Sequence, residues 1–146
     1  VSDTKIVVGA QSEGAVYVYN TDGTGEQKIV ASDGTNGNQF GAAVAIHGDK
    51  IIVSAWADGS NRGAVYVYNT DGTGEVKITP SDAADNERFG HAVAIQGDKI
   101  IVGTPQTGNG AVYVYNTDGS GEQKISAPAG VVGTNGISFG GSVATK

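Results

Sequence analysis

The sequence predicts an all-β protein made of tandem repeats. The ten-residue segment Gly-Ala-Val-Tyr-Val-Tyr-Asn-Thr-Asp-Gly occurs three times without change, starting at Gly14, Gly63 and Gly110, so the chain repeats with a period of about 48 residues. The 146 residues include 24 glycines and only three prolines, and Val, Ile and Tyr are concentrated in short runs. This composition favours short strands joined by tight turns, and periods of this length are typical of propellers and solenoids.

Each repeat is predicted to form four strands, which we name A, B, C and D. In one unit these strands cover 89–95, 99–103, 111–115 and 122–125. Strand A alternates large and small residues, and in strand C the side chains of Val65 and Val67 point away from that of Tyr66, so neither face of the sheet is strongly polar. Sheets that are buried on both sides indicate stacked blades. We therefore predict a β-propeller of four-stranded antiparallel blades, with three blades per chain.

Two of the four connections between strands are constant and two vary. The A to B link is a Gly-Asp pair that suits a two-residue hairpin turn, and the C to D link starts with Asn-Thr-Asp-Gly at Asn20, Asn69 and again, as Asn-Thr-Asp-Gly-Ser, at Asn116. The variable links are B to C, at 11–13, 56–62 and 106–109, and D to A, at 33–38, 82–88 and 129–138. In a meander these two loop types emerge at the same end of the blade. Because loops carry function on a rigid scaffold, we expect any ligand at that end.

The composition narrows the class of function. Fifteen acidic residues against nine basic ones give a formal net charge of −6, which argues against nucleic acid and against an anionic membrane surface as partners. No apolar run reaches the roughly 20 residues of a membrane span, and the lack of cysteine excludes disulfides and thiolate metal sites. No nucleophile motif or isolated carboxylate pair is present, so we predict that the protein is not an enzyme and needs no cofactor.

Two short elements recur at fixed places in the repeat. A Phe-Gly element stands at Phe40, Phe89 and Phe139, and a degraded Gly-Ala-Pro element follows strand B at 9–11, 54–56 and 103–105. Through these elements the chain resembles the FG-GAP repeat of integrin-like β-propellers, and in particular the bacterial subtype with a short A to B turn. The resemblance implies four-stranded blades and a ligand face built from the B to C and D to A loops. It does not extend to the calcium site of that family, because this A to B turn offers one carboxylate where calcium takes about 6 to 8 oxygens.

The chain is predicted to form one repeat domain, 1–146, with unit boundaries near 39–40 and 88–89. Its start aligns with strand B and its end with strand A, so the strands of the terminal blade are split between 1–30 and 138–146. A propeller ring typically holds about 4 to 8 blades. Three blades would leave two edges with unpaired backbone groups and uncovered apolar faces. We therefore expect a homodimer that closes a six-bladed ring, in which strand A of one subunit completes the blade begun by strand B of its partner.

The longest B to C loop carries the one tryptophan of the chain. The candidate ligand-binding residues are Trp56, Asp58, Asn61 and Arg62 in this loop and Asn86 and Arg88 in the following D to A loop. An indole ring offers a stacking surface, and amides and charged groups orient hydroxyls, so this set suggests a protein or glycan ligand. Asp33 and Asp82 would extend the polar rim. The alternatives are that Trp56 packs between blades and that the polar residues satisfy turns.

Two functions of different classes stay open from the sequence. The first is an interaction module, extracellular or at the cell surface, that binds a protein or glycan. The second is an engineered or excised propeller fragment without a ligand of its own. The near-identity of the repeats and the start at Val1 without an initiator Met favour this second function.

Overall fold

The computed structural model describes residues 4–34, 37–105, 110–130 and 139–145. Within these ranges the chain forms β1 (Lys5–Ala10), β2 (Ala15–Asn20), β3 (Gln27–Ile29), β4 (Phe40–His47), β5 (Lys50–Ala55), α1 (Asp58–Asn61), β6 (Ala64–Asn69), β7 (Val76–Ile78), β8 (Ala92–Gln96), β9 (Lys99–Thr104), β10 (Ala111–Asn116) and β11 (Gln123–Ser126). No helix in these ranges has the length and apolar character needed to cross a membrane. The predicted variable loop at 106–109 and most of the link at 129–138 lie outside the described residues.

The strands form three antiparallel sheets, which we call blades 1, 2 and 3. Blade 1 has the order β1-β2-β3, blade 2 the order β4-β5-β6-β7, and blade 3 the order β8-β9-β10-β11. Strands A to D of the prediction are therefore consecutive strands of blades 2 and 3, and β1 is strand B of blade 1. The all-β prediction is confirmed, and these sheets are compatible with the blades of a β-propeller.

The constant links are tight hairpin turns. Gly48 and Gly97 each have a φ of +58°, which the first central residue of a type II′ turn requires. In the C to D link of blade 1, the Asn20 N–H donates to the Thr24 carbonyl at 2.8 Å, and the Thr24 N–H donates to Asp22 Oδ1 at 3.0 Å. Equivalent bonds recur in the other two blades. The polar groups of this repeated link are thus engaged inside the turn, as the sequence predicts.

Strand A of blade 3 begins later than its alternating pattern predicts. The predicted start is Phe89, but β8 begins at Ala92, because its pairing with β9 starts only at Ala92 with Gly103. Gly90 has a φ of +93° and bends the chain before this point. The backbone of Phe89 instead forms an isolated parallel bridge to Gly63 of blade 2. In blade 2 the strand register shifts near the start of β4, which marks a β-bulge. The Phe-Gly element of blade 3 therefore links neighbouring blades rather than extending its own sheet.

The hydrophobic core lies between blades. Seam 1–2, the layer between blades 1 and 2, contains Val16, Val18 and Ile29 of blade 1 and Ile51, Val53, Tyr66 and Tyr68 of blade 2, together with Phe40. Seam 2–3 repeats this layer with Val65, Val67 and Ile78 of blade 2 and Ile100, Val102, Tyr113 and Tyr115 of blade 3, together with Phe89. The Phe89 ring meets the Tyr113 ring edge-on, with centroids 5.5 Å apart. Blade 2 therefore packs on neighbours through two apolar faces, and blades 1 and 3 each pack on it through one.

Candidate functional site

Two of the variable loops lie side by side. The β5–β6 loop contains α1, and the β7–β8 loop runs along it: the N–H groups of Asn86 and Arg88 donate to the carbonyls of Ser60 and Asn61 at 3.1 and 2.8 Å. All four residues have a positive φ although none is glycine. Such a backbone costs about 1–3 kcal/mol per residue and persists only where the surrounding contacts impose it. The two loops therefore hold each other in one arrangement.

Side chains of these two loops also pair, and we call 56–62 and 85–88 together the loop cluster. The pairs are Asn61 with Asn86 at 3.2 Å, Arg62 with Asp85 at 2.7 Å, and the Arg88 guanidinium over the Trp56 ring at 5.0 Å from its centroid. Five of the six candidate residues are thus brought together. Trp56 is half-buried, and its ring is paired with a cation of its own chain. The cluster is therefore a mixed aromatic and cationic surface rather than an open stacking platform.

Asp58, the sixth candidate, does not join the pairs of the loop cluster. Its carboxylate accepts a hydrogen bond from Asn38 Nδ2 at 2.6 Å and pairs with Lys77 Nζ at 2.8 Å. Its side chain is only 17% exposed. Asp58 therefore ties the β3–β4 link to strand D of blade 2, and its contacts are structural.

A carboxylate that follows strand D clamps blade 1 to blade 2. Asp33 lies after blade 1 and accepts hydrogen bonds from the Tyr66 hydroxyl at 2.8 Å and from Lys77 Nζ at 2.7 Å, both in blade 2. The neighbouring Ser32 donates its N–H and hydroxyl to Glu75 at 3.0 and 2.5 Å. The hydrogen bond from Lys77, followed by that from Tyr66, lowers the pKa of the Asp33 carboxyl. Asp33 is thus bound to the next blade instead of extending a polar rim.

The same carboxylate clamp joins blade 2 to blade 3. Asp82 accepts hydrogen bonds from the Tyr113 hydroxyl at 2.6 Å and from Lys124 Nζ at 2.5 Å, and Ser81 donates to Glu122 at 3.0 and 2.6 Å. Burial and then the Asp82 hydrogen bond raise the pKa of Tyr113 to about 12. Sequence reasoning missed this role. A signal was present, since Ser-Asp follows strand D at the same distance in both units.

The outer faces of blades 1 and 3 are uncovered. Ile6 and Val8 of β1 are 43% and 46% exposed, whereas the equivalent residues are fully buried: Ile51, Val53, Ile100 and Val102. Ile125 of β11 is 49% exposed, against 4% and 3% for its equivalents Ile29 and Ile78. The repeats carry the same residue types at these positions. The difference therefore comes from the place of the blade in the chain.

The first strand of the structure, β1, lies at the edge of its sheet. Within the part of the chain that the structure describes, β1 has a neighbouring strand on one side, whereas its equivalents β5 and β9 each lie between two strands. At the other end, Phe139 forms an isolated parallel bridge to Gly110, as Phe89 does to Gly63. The Phe-Gly element at Phe139 thus has the same position relative to blade 3 as Phe89 has relative to blade 2.

A cavity of about 620 Å³ lies away from the loop cluster, beside a constant A to B turn. It is lined by Thr4, Lys5, Ile46, His47, Gly48, Asp49 and Thr70. Thr4 and Lys5 stand at the start of β1 and the other lining residues belong to blade 2, so the cavity lies between blades 1 and 2. Among the described residues, no group of three His, Asp or Glu side chains is placed to hold a metal ion.

Comparison with known families agrees with the repeat seen in the fold. A model of the FG-GAP repeat matches the chain twice, at 24–68 and at 73–115, and the two matches together exceed half of its length. The chain belongs to the FG-GAP repeat family. Each FG-GAP match runs from the C to D turn of one blade to strand C of the next, so each covers the junction between two blades. No characterised protein matches the chain significantly.

Membership in the FG-GAP family indicates a general class of function and a typical location. FG-GAP repeats suggest a propeller-type scaffold for protein interactions, and proteins that carry them are typically non-enzymatic. They are also typical of extracellular or surface proteins. The resemblance carried by the Phe-Gly elements is thereby confirmed.

Proposed function

We propose that this protein is a non-enzymatic FG-GAP scaffold that pairs with a second copy of itself to close a six-bladed ring. The observation that carries the proposal is the unequal exposure of equivalent residues: Ile6 and Val8 are nearly half exposed in blade 1, while their counterparts in blades 2 and 3 are fully buried. Complete burial of a Val or Ile side chain contributes about 1.5–3 kcal/mol. Each uncovered face therefore gains stability when a matching face covers it.

The two open faces match because they repeat the two sides of the internal seams. The open face of blade 1 carries Ile6, Val8, Tyr17 and Tyr19, which are equivalent to the blade 2 residues Ile51, Val53, Tyr66 and Tyr68 of seam 1–2. The open face of blade 3 carries Ile101, Val112, Val114 and Ile125, which are equivalent to Val7, Val16, Val18 and Ile29 on the other side of that seam. Two copies would form two further seams of this kind. The resulting six blades lie within the usual range of about 4 to 8.

Strand pairing supports the same assembly. In blades 2 and 3, strand A pairs with strand B through Val44 with Val53 and Val93 with Val102. The equivalent residues at the ends of the chain are Val143 and Val8. In the proposed ring, 141–145 of one copy forms strand A beside β1 of the other, with Val143 opposite Val8. Main-chain hydrogen bonds then satisfy the open edge of β1.

Cysteine pairs test this register, since the chain has no cysteine of its own. We expect Val8→Cys/Val143→Cys to form a disulfide between copies on mild oxidation, because directly opposed residues have Cβ atoms about 4.5–5.5 Å apart and need only a small adjustment to bond. The product should migrate on a non-reducing gel at twice the chain mass of 14.7 kDa. The matched control is Val8→Cys/Ala144→Cys, which puts the second thiol on the other face of the strand.

The mass of the unmodified protein gives the decisive comparison. Light scattering at micromolar concentration should return twice the chain mass of 14.7 kDa. A single-chain mass, with no more cross-linking in the first cysteine pair than in its control, would refute the ring. Three or more chains in the particle would refute closure by two copies.

We further propose that the loop cluster of this scaffold binds a protein or glycan. The support is the combination of a half-buried Trp56 with the Arg88 guanidinium stacked on it and the positive φ values of Asn61 and Asn86. Strained backbone is often retained at ligand sites, and an aromatic ring with nearby arginine suits amphipathic ligands. Arg62 completes the proposed site. Asp58 is left out of it because its carboxylate is bound to Lys77.

A glycan array that includes acidic glycans tests this second part of the proposal. Binding should fall at least about 10-fold in Trp56→Ala and in Arg88→Ala, a loss of about 1.4 kcal/mol, while Thr21→Ala in the constant turn leaves it unchanged. A bound glycan should also raise the melting temperature of the unmodified protein. No binding, or equal losses in all three variants, would favour the alternative of an engineered or excised fragment without a ligand.

A further inference from the structure

Every blade carries one tyrosine and one lysine that share a carboxylate. The pairs are Tyr17 with Lys28 in blade 1, Tyr66 with Lys77 in blade 2, and Tyr113 with Lys124 in blade 3. In each pair the lysine ammonium lies over the tyrosine ring, at 5.7, 5.4 and 5.4 Å from the centroid. The three pairs of tyrosine and lysine therefore bind their carboxylates with the same geometry. They differ in the origin of the carboxylate.

In blades 2 and 3 the preceding blade supplies the carboxylate, through Asp33 and Asp82 of the carboxylate clamp. In blade 1 the same two groups are bound by Glu13, which belongs to blade 1 itself. The Tyr17 hydroxyl donates to Glu13 Oε2 at 2.9 Å, and Lys28 Nζ forms an ion pair with Glu13 Oε1. Glu13 stands in the short β1–β2 loop, directly before the first copy of the repeated ten-residue segment.

The segment after strand D of blade 3 lacks the carboxylate that follows strand D in the other two blades. Ala129 stands at the position that Asp33 and Asp82 hold after the other two blades, five residues beyond the strand D lysine. Pro128 stands at the serine position, and proline has no N–H to donate. The exposed end of blade 3 at 128–129 thus offers no carboxylate to a following blade, whereas blade 1 already contains one.

We propose that Glu13 and Ala129 are a matched pair that fits the end of blade 3 to the start of blade 1 of a second copy. In the internal seams the preceding blade supplies the carboxylate, whereas in the seam between copies blade 1 supplies it itself. The seam between copies therefore still contains one carboxylate for its tyrosine and lysine. An aspartate at position 129 would bring a second carboxylate to a lysine that is already paired, and like charges at this distance repel. This inference rests on the proposed ring, and it identifies the occupant of the open faces as another copy of this chain.

The electrostatic environment of Glu13 in blade 1 resembles that of Asp33 in the internal seam. The hydrogen bond from Lys28, followed by that from Tyr17, lowers the pKa of the Glu13 carboxyl, as Lys77 and then Tyr66 lower that of Asp33. At the position of Glu13, blade 2 has Arg62, which pairs with Asp85 of the loop cluster. A carboxylate at this position is therefore a feature of blade 1 and not of the repeat.

A double-mutant cycle on the dissociation constant of the dimer tests the pairing. Ala129→Asp should raise this constant at least about 10-fold, which corresponds to about 1.4 kcal/mol. Glu13→Ala should raise it about 2- to 5-fold, because Tyr17 and Lys28 lose their acceptor. Glu13→Ala/Ala129→Asp should return to within about 3-fold of the unmodified protein, since Tyr17 and Lys28 then receive a carboxylate from the preceding blade, as their equivalents do in the internal seams. Sedimentation velocity over a dilution series measures all four constants.

The controls separate this inference from the proposed ring. Thr79→Asp adds the same charge at an exposed position after strand D of blade 2, away from both open faces, and should leave the dissociation constant unchanged. Circular dichroism confirms that each variant is folded. Effects of the two changes that simply add in the double variant would overturn the matched pair, as would an Ala129→Asp dimer as tight as the unmodified one. In both cases the ring itself would stand. A monomeric unmodified protein would overturn the ring and the pair together.

Discussion

A Val8→Asp variant is expected to be a folded monomer. In a single chain Val8 is 46% exposed, so an aspartate there keeps its water and folding continues. In the proposed dimer the same side chain would be covered by 141–145 and blade 3 of the partner, and its charge would be buried without a partner. Such a charge costs about 3–5 kcal/mol. The dissociation constant of the dimer should therefore rise at least about 100-fold, which light scattering over a dilution series can measure.

The repeat provides a matched control for this experiment. Val53 is the equivalent residue of blade 2 and is fully buried within the single chain. Val53→Asp should therefore lower the free energy of unfolding of the chain itself, by about 3–5 kcal/mol, in a urea titration. If Val8→Asp instead kept the dimer mass, the open face of blade 1 would not be the contact surface between copies.

A Gly63→Ala variant is expected to lose about 2–5 kcal/mol of unfolding free energy. Gly63 has a φ of +88°, a region that L-residues with a side chain rarely adopt. A Cβ atom on this residue would lie 2.1 Å from the carbonyl oxygen of Phe89 and 2.6 Å from its nitrogen, both of which are backbone atoms of the next blade. The methyl group therefore strains its own backbone and pushes apart the bridge that joins blades 2 and 3. Urea denaturation followed by circular dichroism measures the loss.

Gly14→Ala separates the two causes. Gly14 opens the first copy of the same ten-residue segment and has a φ of +69°, but no atom lies within 4 Å of its added Cβ. The variant should lose only the cost of backbone strain, about 1–2 kcal/mol. Equal losses in both variants would show that the close approach of Phe89 to Gly63 contributes nothing to stability.

Strands B and C could be predicted closely because their apolar runs are bounded by turn residues in every repeat. The predicted strand C at 111–115 differs from β10 by one residue at its end. Strand A was less predictable, because the alternation of large and small residues continues through Phe89 and Gly90 while the backbone does not. A glycine with positive φ has no signature in a hydrophobic pattern. The break became visible only in the bridge from Phe89 to Gly63.

The candidate site was predictable as a location but not in its contacts. Loop residues such as Trp56 and Arg88 could be grouped because strand order places their loops at one end of the blade. The contact between Asp58 and Lys77 could not be predicted, because Lys77 lies beyond strand C in sequence and only the fold brings the two residues together. The contact of Asp33 could not be predicted for the same reason, since its acceptor role depends on a tyrosine of the following blade.

The seams of this protein join unlike faces, and this gives the chain a head and a tail. Such units associate head to tail, and the contacts at one seam do not limit the number of units that can be added. The rotation from one blade to the next decides the outcome. In the proposed ring, about 60° per blade leads back to the first blade after six, whereas a smaller rotation closes only with more blades and a rise along the axis gives an open helix. We therefore expect a substitution that changes the angle of one seam without weakening it to change the number of copies in the proposed assembly or to open it into a fibre.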